Sequence, residues 1–359
     1  KRVRSAVVHC ALTVNTGSRD ELAGEHGIAH LLEHAFFKGT THRKAFHINC
    51  RLENLGGELN AYTTKEETVI HTTSLRGDFA KAAELIADIV FHSVFPEKEL
   101  EREKDIVLDE INSYKDTPSE RIFDDFEDMV FKGSSLGHNI LGTKASLMKH
   151  SREDLFRFVK RTYNTDQMVF SVIGNVSEKR FREICDRYFT EPAASARPFV
   201  RDRAGIYVPE TKTAHRNCHQ AHCIMGGRAY SLNDDRRIVL SLLSNLLGGP
   251  SANSLLNLAV RERKGLSYNI ESGFSPFSDT GIASIYFGTD KDRVEECMEV
   301  IDRELERIRT GQLGSRTLAM AKKQYIGQIT IAMESNEGYM LSAARSYLVY
   351  DNIDGMDEI

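Results

Sequence analysis

The chain has 359 residues, more than one hydrophobic core comfortably organises, so two domains of roughly 150 to 200 residues are expected. Lys and Arg number 47 against 52 Asp and Glu, a formal charge of −5, which gives no reason to expect nucleic acid or an anionic membrane as partner. No apolar run approaches the roughly 18 residues of a membrane span, and the scattered cysteines Cys10, Cys50, Cys185, Cys218, Cys223 and Cys297 point to reduced thiols in a reducing, cytoplasmic compartment. No charged-then-apolar leader opens the chain. Lys1 runs at once into a strand-like segment, as though the sequence begins inside a fold, so a lost leader is compatible with this start.

Taken in order, the pattern predicts a strand at about 3 to 14, then a helix at 24 to 38. That helix carries Ile28, Leu31, Leu32, Ala35 and Phe36 on one side, and Gly39 ends it. A second helix at about 42 to 54 runs into Gly56-Gly57, followed by strands at 57 to 63 and 67 to 75 and helices near 78 to 92 and 97 to 114. Pro118 closes the last of these and opens the next. Helices near 119 to 131 and 152 to 162, a strand at 168 to 173 and a helix at 178 to 188 complete an α+β first half.

The stretch Thr190 to Gly205 has two prolines, small residues and no apolar periodicity, the composition of a linker. It divides the chain into a domain at 1–189, a linker at 190–204 and a second domain at 205–359 that is expected to be incomplete at its end. Beyond it come a strand at about 217 to 226, helices at 234 to 247 and 251 to 263, a hairpin at 265 to 288, a helix at 291 to 309 and a helical stretch from Ser315 to Asn352. In both halves a helix leads to a glycine and a tyrosine-bearing strand, Gly57 to Tyr62 and Gly265 to Tyr268. Two copies of one α+β unit are therefore expected.

One short motif carries chemistry. In His30-Leu31-Leu32-Glu33-His34 the two histidines, four apart on a helix, project about 40° from one another, and Glu33 lies about 60° to the other side of His30. The three share an arc of about 100°, while the neighbouring apolar residues point into a core. Two neutral histidines and one carboxylate suit zinc, which keeps a position for water and lowers its pKa from about 15.7 to about 7. Glu33 is placed to act as general base and then general acid. The carboxylate-rich helix at 97 to 114 offers the third ligand: Glu103 and Glu110, seven apart, fall within about 20° on one face, and spacing alone does not choose between them. The ordinary alternative is that five-residue patterns of this kind arise by chance and helical histidines are often plain surface.

The wider block Gly27 to Thr40 resembles the signature of the pitrilysin, or inverzincin, metallopeptidases, which carry HxxEH in place of HExxH. The resemblance runs the length of the chain through Gly56 to Thr63, Glu103 to Pro118, Gly248 to Ser251 and Val260 to Ile270. It implies a third ligand 76 positions after the second histidine, which is Glu110, with Glu103 supporting the site and one Zn2+ per chain. It also implies that the strand with Asn60 and Ala61 is the edge to which an extended substrate adds. Arg261 and Tyr268 resemble the pair that reaches the substrate near the scissile bond, where Tyr268 would donate to the carbonyl oxygen as it gains charge.

The implied architecture is two homologous α/β sandwich-like domains facing each other as a clam shell. The implied activity is a zinc endopeptidase or oligopeptidase acting on peptides or unfolded segments in an enclosed chamber. A presequence-processing peptidase and a noncatalytic subunit of the same fold are the alternatives; the intact His30, Glu33, His34 and Glu110 speak against the latter. No catalytic partner is obligatory, and a homodimer is compatible. His26 is expected to be solvated at the helix start. The cluster His215, Cys218, His219, His222 and Cys223 invites a second metal site, but the family strand aligned there sends Cys218 and Cys223 to opposite faces, which argues against it. The charges from Glu97 to Lys104 are expected on a solvated face, except Glu103.

Overall fold

The computed structural model describes residues 1–190, 192–216 and 218–353. Two compact units are present: residues 1–112 and 138–202 with the chain from 332 onward, and residues 113–137 with 203–331. Among the described residues no helix is long and apolar enough to cross a membrane.

The first unit opens with β1 (Val7–Val14), α1 (Ile28–Phe36), α2 (Ala45–Glu53), β2 (Glu58–Thr63), β3 (Thr68–Leu75), α3 (Phe79–His92) and α4 (Glu97–Lys115). After α5 (Pro118–Val130), which lies in the second unit, come α6 (Lys144–Leu147), α7 (Arg152–Thr162), β4 (Met168–Ile173) and α8 (Glu178–Tyr188). The sheet is antiparallel throughout, in the order β2-β3-β1-β4. Because successive strand residues face opposite sides, β1 serves two cores. Val8, Cys10, Leu12 and Val14 join Leu31, Leu32, Ile86 and Ile89 on the helical side, while Ala11, with Val69 and Ile173, faces the other.

That other face is covered by the last helix, and here the structure departs from chain order. After α11 (Ser315–Glu334), α12 (Asn336–Tyr350) packs on the first unit, inserting Met340 among Ala11, Val69 and Ile173. Glu337 at its start pairs with His71 of β3 at 2.8 Å. A division of the chain at a single linker does not anticipate this, because the sheet's second apolar face needs a cover from elsewhere.

The second unit holds α5, β5 (Ala221–Ala229), α9 (Arg236–Gly248), β6 (Ser267–Pro276), β7 (Gly281–Thr289) and α10 (Val294–Arg309). Its antiparallel sheet has the order β5-β7-β6, which repeats β1-β3-β2. The two units are thus one α+β motif used twice, each with a hairpin followed by a helix.

Several boundaries move for local reasons. The first strand begins at Val7, not at residue 3: the Ser5 hydroxyl accepts from the Val7 amide at 3.0 Å, and Arg2 makes only an isolated bridge to Gly174. The fifth strand begins at Ala221, so the alternation argument never reaches Cys218, and Asn217 in the predicted span lies outside the described residues. The helix expected at 251 to 263 is instead a short helical turn ending in a π-helical segment, Asn257–Glu262. Its wider pitch shows in the Arg263 amide reaching the Leu258 carbonyl at 3.1 Å. Lys104, expected in solvent, is buried and reaches back to Glu101 at 2.7 Å.

Met340 is 3% exposed, so Met340→Ala should destabilise the chain by about 2–5 kcal/mol through lost burial and the cavity left behind. Denaturant unfolding of the variant against wild type measures this.

Candidate metal centre

Helix α1 exists because its apolar stripe has a core to enter: Ile28, Leu31, Leu32, Ala35 and Phe36 are all buried, while His30, Glu33 and His34 are half-buried on the opposite side. Its start is set by the backbone. Gly27 sits at φ 87°, and a Cβ there would lie 2.6 Å from the Leu141 carbonyl oxygen, so both conformation and space demand glycine. The helix is consequently shorter than the expected 24 to 38.

The first amides of α1 are received by a side chain six residues upstream. Glu21 accepts from Gly27 N and Ala29 N, each at 3.0 Å, one on each carboxylate oxygen. These are the orphan donors of a helix N-terminus. Burial nonetheless pushes the Glu21 carboxyl up to about 8. His26, rather than standing in solvent, is half-buried against the His138 ring at 3.9 Å, and its carbonyl lies 2.9 Å from His150 Nε2.

Helix α4 brings two carboxylates to the polar side of α1. Leu100, Val107 and Ile111 are buried, which turns Glu103 and Glu110 toward the histidines. Glu110 approaches His30 Nε2 at 3.0 Å and His34 Nε2 at 3.7 Å with its two oxygens. Glu103 lies 3.1 Å from His34 Nδ1. The His30 and His34 rings are 4.7 Å apart and inclined at 65°, and one ligand atom from each of His30, His34 and Glu110 falls within 4.8 Å of the others.

This donor set fits zinc. Bonds of about 2.0–2.1 Å in tetrahedral geometry place donors about 3.3 Å apart, and the distances from Glu110 to the two imidazoles lie on either side of that value. Glu103 is committed elsewhere, its second oxygen held by Lys38 Nζ at 2.8 Å. It bonds the ring nitrogen of His34 that faces away from Glu110, and so fixes the orientation of the ring.

Glu33 lies beside the group, 3.7 Å from His30 Nδ1. Burial acts to raise its pKa, but His30, the Thr63 hydroxyl and His34 outweigh it and hold the carboxyl below the ordinary range. For His30 burial acts downward, and the carboxylates of Glu33 and Glu110 raise its pKa overall, so protons and a metal compete for this ring.

Asn60 and Ala61 lie on β2, opposite His71 and Ile70 of β3. Among the described residues β2 pairs only with β3, which leaves its other edge open. In the second unit Arg261 stands on the π-helical turn and Tyr268 on β6, both exposed, Tyr268 at 82%. Lys38 was not singled out by sequence reasoning; its signal is the four-residue step from His34.

Two substitutions test these supports. Protonation of Glu21 favours the folded state, because its folded pKa lies above the ordinary value of 4.5; that stability is complete below about pH 4.5 and is lost as pH rises through about 8. The stability of wild type relative to Glu21→Gln should therefore fall between pH 5 and 8, by up to about 1.4 kcal/mol per unit, as read by urea unfolding at several pH values. Glu103→Gln should weaken zinc binding about 10- to 100-fold, measured by competition with a chromophoric chelator.

Comparison with known proteins agrees in both halves. Residues 2–144 match the model of insulinase, peptidase family M16, and residues 149–325 match that of the peptidase M16 inactive domain. A zinc protease of Bacillus subtilis (strain 168) is 32% identical over 99% of this chain and 86% of its own length. Another, from Mycobacterium leprae, is 31% identical over 99% and 80%. In fold the chain is similar to a protease from Helicobacter pylori, with TM-score 0.90 at 21% identity over 98% of this chain and 86% of that one. It is also similar to a peptidase M16 inactive domain from Pseudomonas fluorescens, with TM-score 0.83 at 19% identity over 98% and 85%. With both of its halves matched in order and zinc proteases alike along almost its whole length, the chain belongs to the insulinase, or pitrilysin-type, M16 family of zinc metallopeptidases.

Proposed function

We propose that this chain is a zinc-dependent endopeptidase or oligopeptidase that hydrolyses peptides or unfolded segments. The observation that carries the proposal is the convergence of His30, His34 and Glu110 within 4.8 Å, with the Glu33 carboxylate alongside. These three residues would hold the ion. A zinc ion held there would lower the pKa of a bound water to about 7 and would polarise a substrate carbonyl.

The chain's own residues do the rest. Glu33, kept deprotonated at neutral pH, takes the proton of the attacking water and returns it to the leaving amine. Glu103, anchored by Lys38, keeps His34 from turning. The open edge of β2 around Asn60 and Ala61 receives an extended peptide through backbone hydrogen bonds, a mode that tolerates many side chains. Arg261 and Tyr268 are assigned to the substrate, with Tyr268 donating to the carbonyl oxygen as charge develops.

The test is a mixed peptide library digested by the intact protein, the chelated protein and Glu33→Gln, with cleavage positions read by mass spectrometry. Chelation should abolish cleavage and zinc should restore it. Glu33→Gln should lower the rate by about 10²–10⁴-fold while retaining zinc. No cleavage by the zinc-loaded wild type would overturn the proposal, and cleavage confined to one presequence class would replace it with a processing role.

A further inference from the structure

A second group of metal-ligating side chains lies in the first unit, away from the residues already assigned. His42 belongs to the turn between α1 and α2, and Asp88 and His92 stand one helical turn apart at the end of α3. Asp88 Oδ1 is 2.6 Å from His42 Nδ1 and 3.5 Å from His92 Nδ1, the two rings are 4.9 Å apart at 74°, and one ligand atom from each residue falls within 4.8 Å of the others.

The surroundings resemble a prepared site more than a chance encounter. Asp88 is 3% exposed, and its Oδ2 is occupied by the Thr40 hydroxyl at 2.9 Å and by Arg43 at 2.5 Å. This aims Oδ1 at both imidazoles, in the way outer partners orient a metal-binding carboxylate. Arg43 is itself shared with Glu84 at 2.7 Å, so its charge is not spent on Asp88 alone.

The turn is also pinned in place. Thr40 Oγ1 accepts from the amides of His42 and Arg43, and the Thr41 amide bonds the His92 carbonyl at 2.9 Å. His42 is the exposed member, its side chain 58% accessible, and it can swing outward by the fraction of an ångström that separates a 2.6 Å hydrogen bond from the donor spacing of about 3.3 Å around zinc.

We propose that His42, Asp88 and His92 form a second cation site, distinct from the His30/His34/Glu110 group, that takes one transition-metal ion of the zinc or cobalt type and clips the turn after α1 to the end of α3. Two imidazoles and one carboxylate favour such ions over calcium or magnesium, which prefer all-oxygen sets.

The full chain, stripped of metal by chelation and titrated with Co2+ while its visible absorption is followed, tests this. The wild type should take up two equivalents. His42→Ala, a change at an exposed turn, should weaken one equivalent at least tenfold. His42→Ala with His92→Ala should leave one. His30→Ala with His34→Ala should keep an equivalent that His42→Ala then weakens, and its thermal midpoint should still rise with added Zn2+. Circular dichroism confirms that each variant is folded. No uptake by the His30→Ala/His34→Ala variant, or uptake whose affinity His42→Ala leaves unchanged, would overturn the proposal. Since the His30/His34 variant isolates the second group, either site can fail without the other.

Discussion

Helix α1 must satisfy two incompatible neighbours over nine residues: a dry core on one side and a polar surface bearing His30, Glu33 and His34 on the other. Burial of its apolar stripe locks the rotation of the helix about its own axis, and that rotation alone decides where the two imidazoles and Glu33 point. Glu21 and the Gly27 backbone then fix the position of the helix along its axis. The orientations of His30, Glu33 and His34 are therefore inherited from packing and capping. Helix α4 shows the same division, with Leu100, Val107 and Ile111 seating it so that Glu103 and Glu110 lie over α1.

The repeated strand order shows one motif carrying different additions in the two units. Both contain a strand, a hairpin that pairs with it and a helix after the hairpin. The first adds β4 and receives α12 across its second face. The second has a smaller sheet, and its helical segment before β6 is wound with a π-helical pitch that carries Arg261. The structural differences are thus attached at the margins of a shared frame.

How much of this was readable from residues alone depends on the range of the interaction. The α1 stripe, the strands at 58–63 and 68–75 and the seven-residue step from Glu103 to Glu110 are local patterns, visible in the order of side chains. The choice of Glu110 over Glu103 was not local; it came from resemblance, because both sit on one face and only the placement of α4 against α1 distinguishes them. The four-residue step from His34 puts Lys38 on the same side, but its partner Glu103 comes from another helix and only the folded chain joins them. His42 and Asp88 are far apart in sequence, and nothing short of the folded chain joins them. The π-helical turn reads as ordinary helix because apolar spacing at 3.6 residues cannot report a wider pitch, and α12 falls with the second half by chain order although its contacts are with the first sheet.

The open edge of β2 has a further consequence. Unpaired backbone groups in a row are a template for any extended chain, including another molecule of the same protein. An enzyme that captures substrate by adding a strand cannot cap that edge permanently without losing the activity, so it carries a standing risk of pairing with itself. The brevity of β2, six residues with Glu58 exposed at its start, limits how long such a ladder can grow. Under the proposed function, solubility and substrate capture would be set against each other on this strand, and its shortness would serve the first.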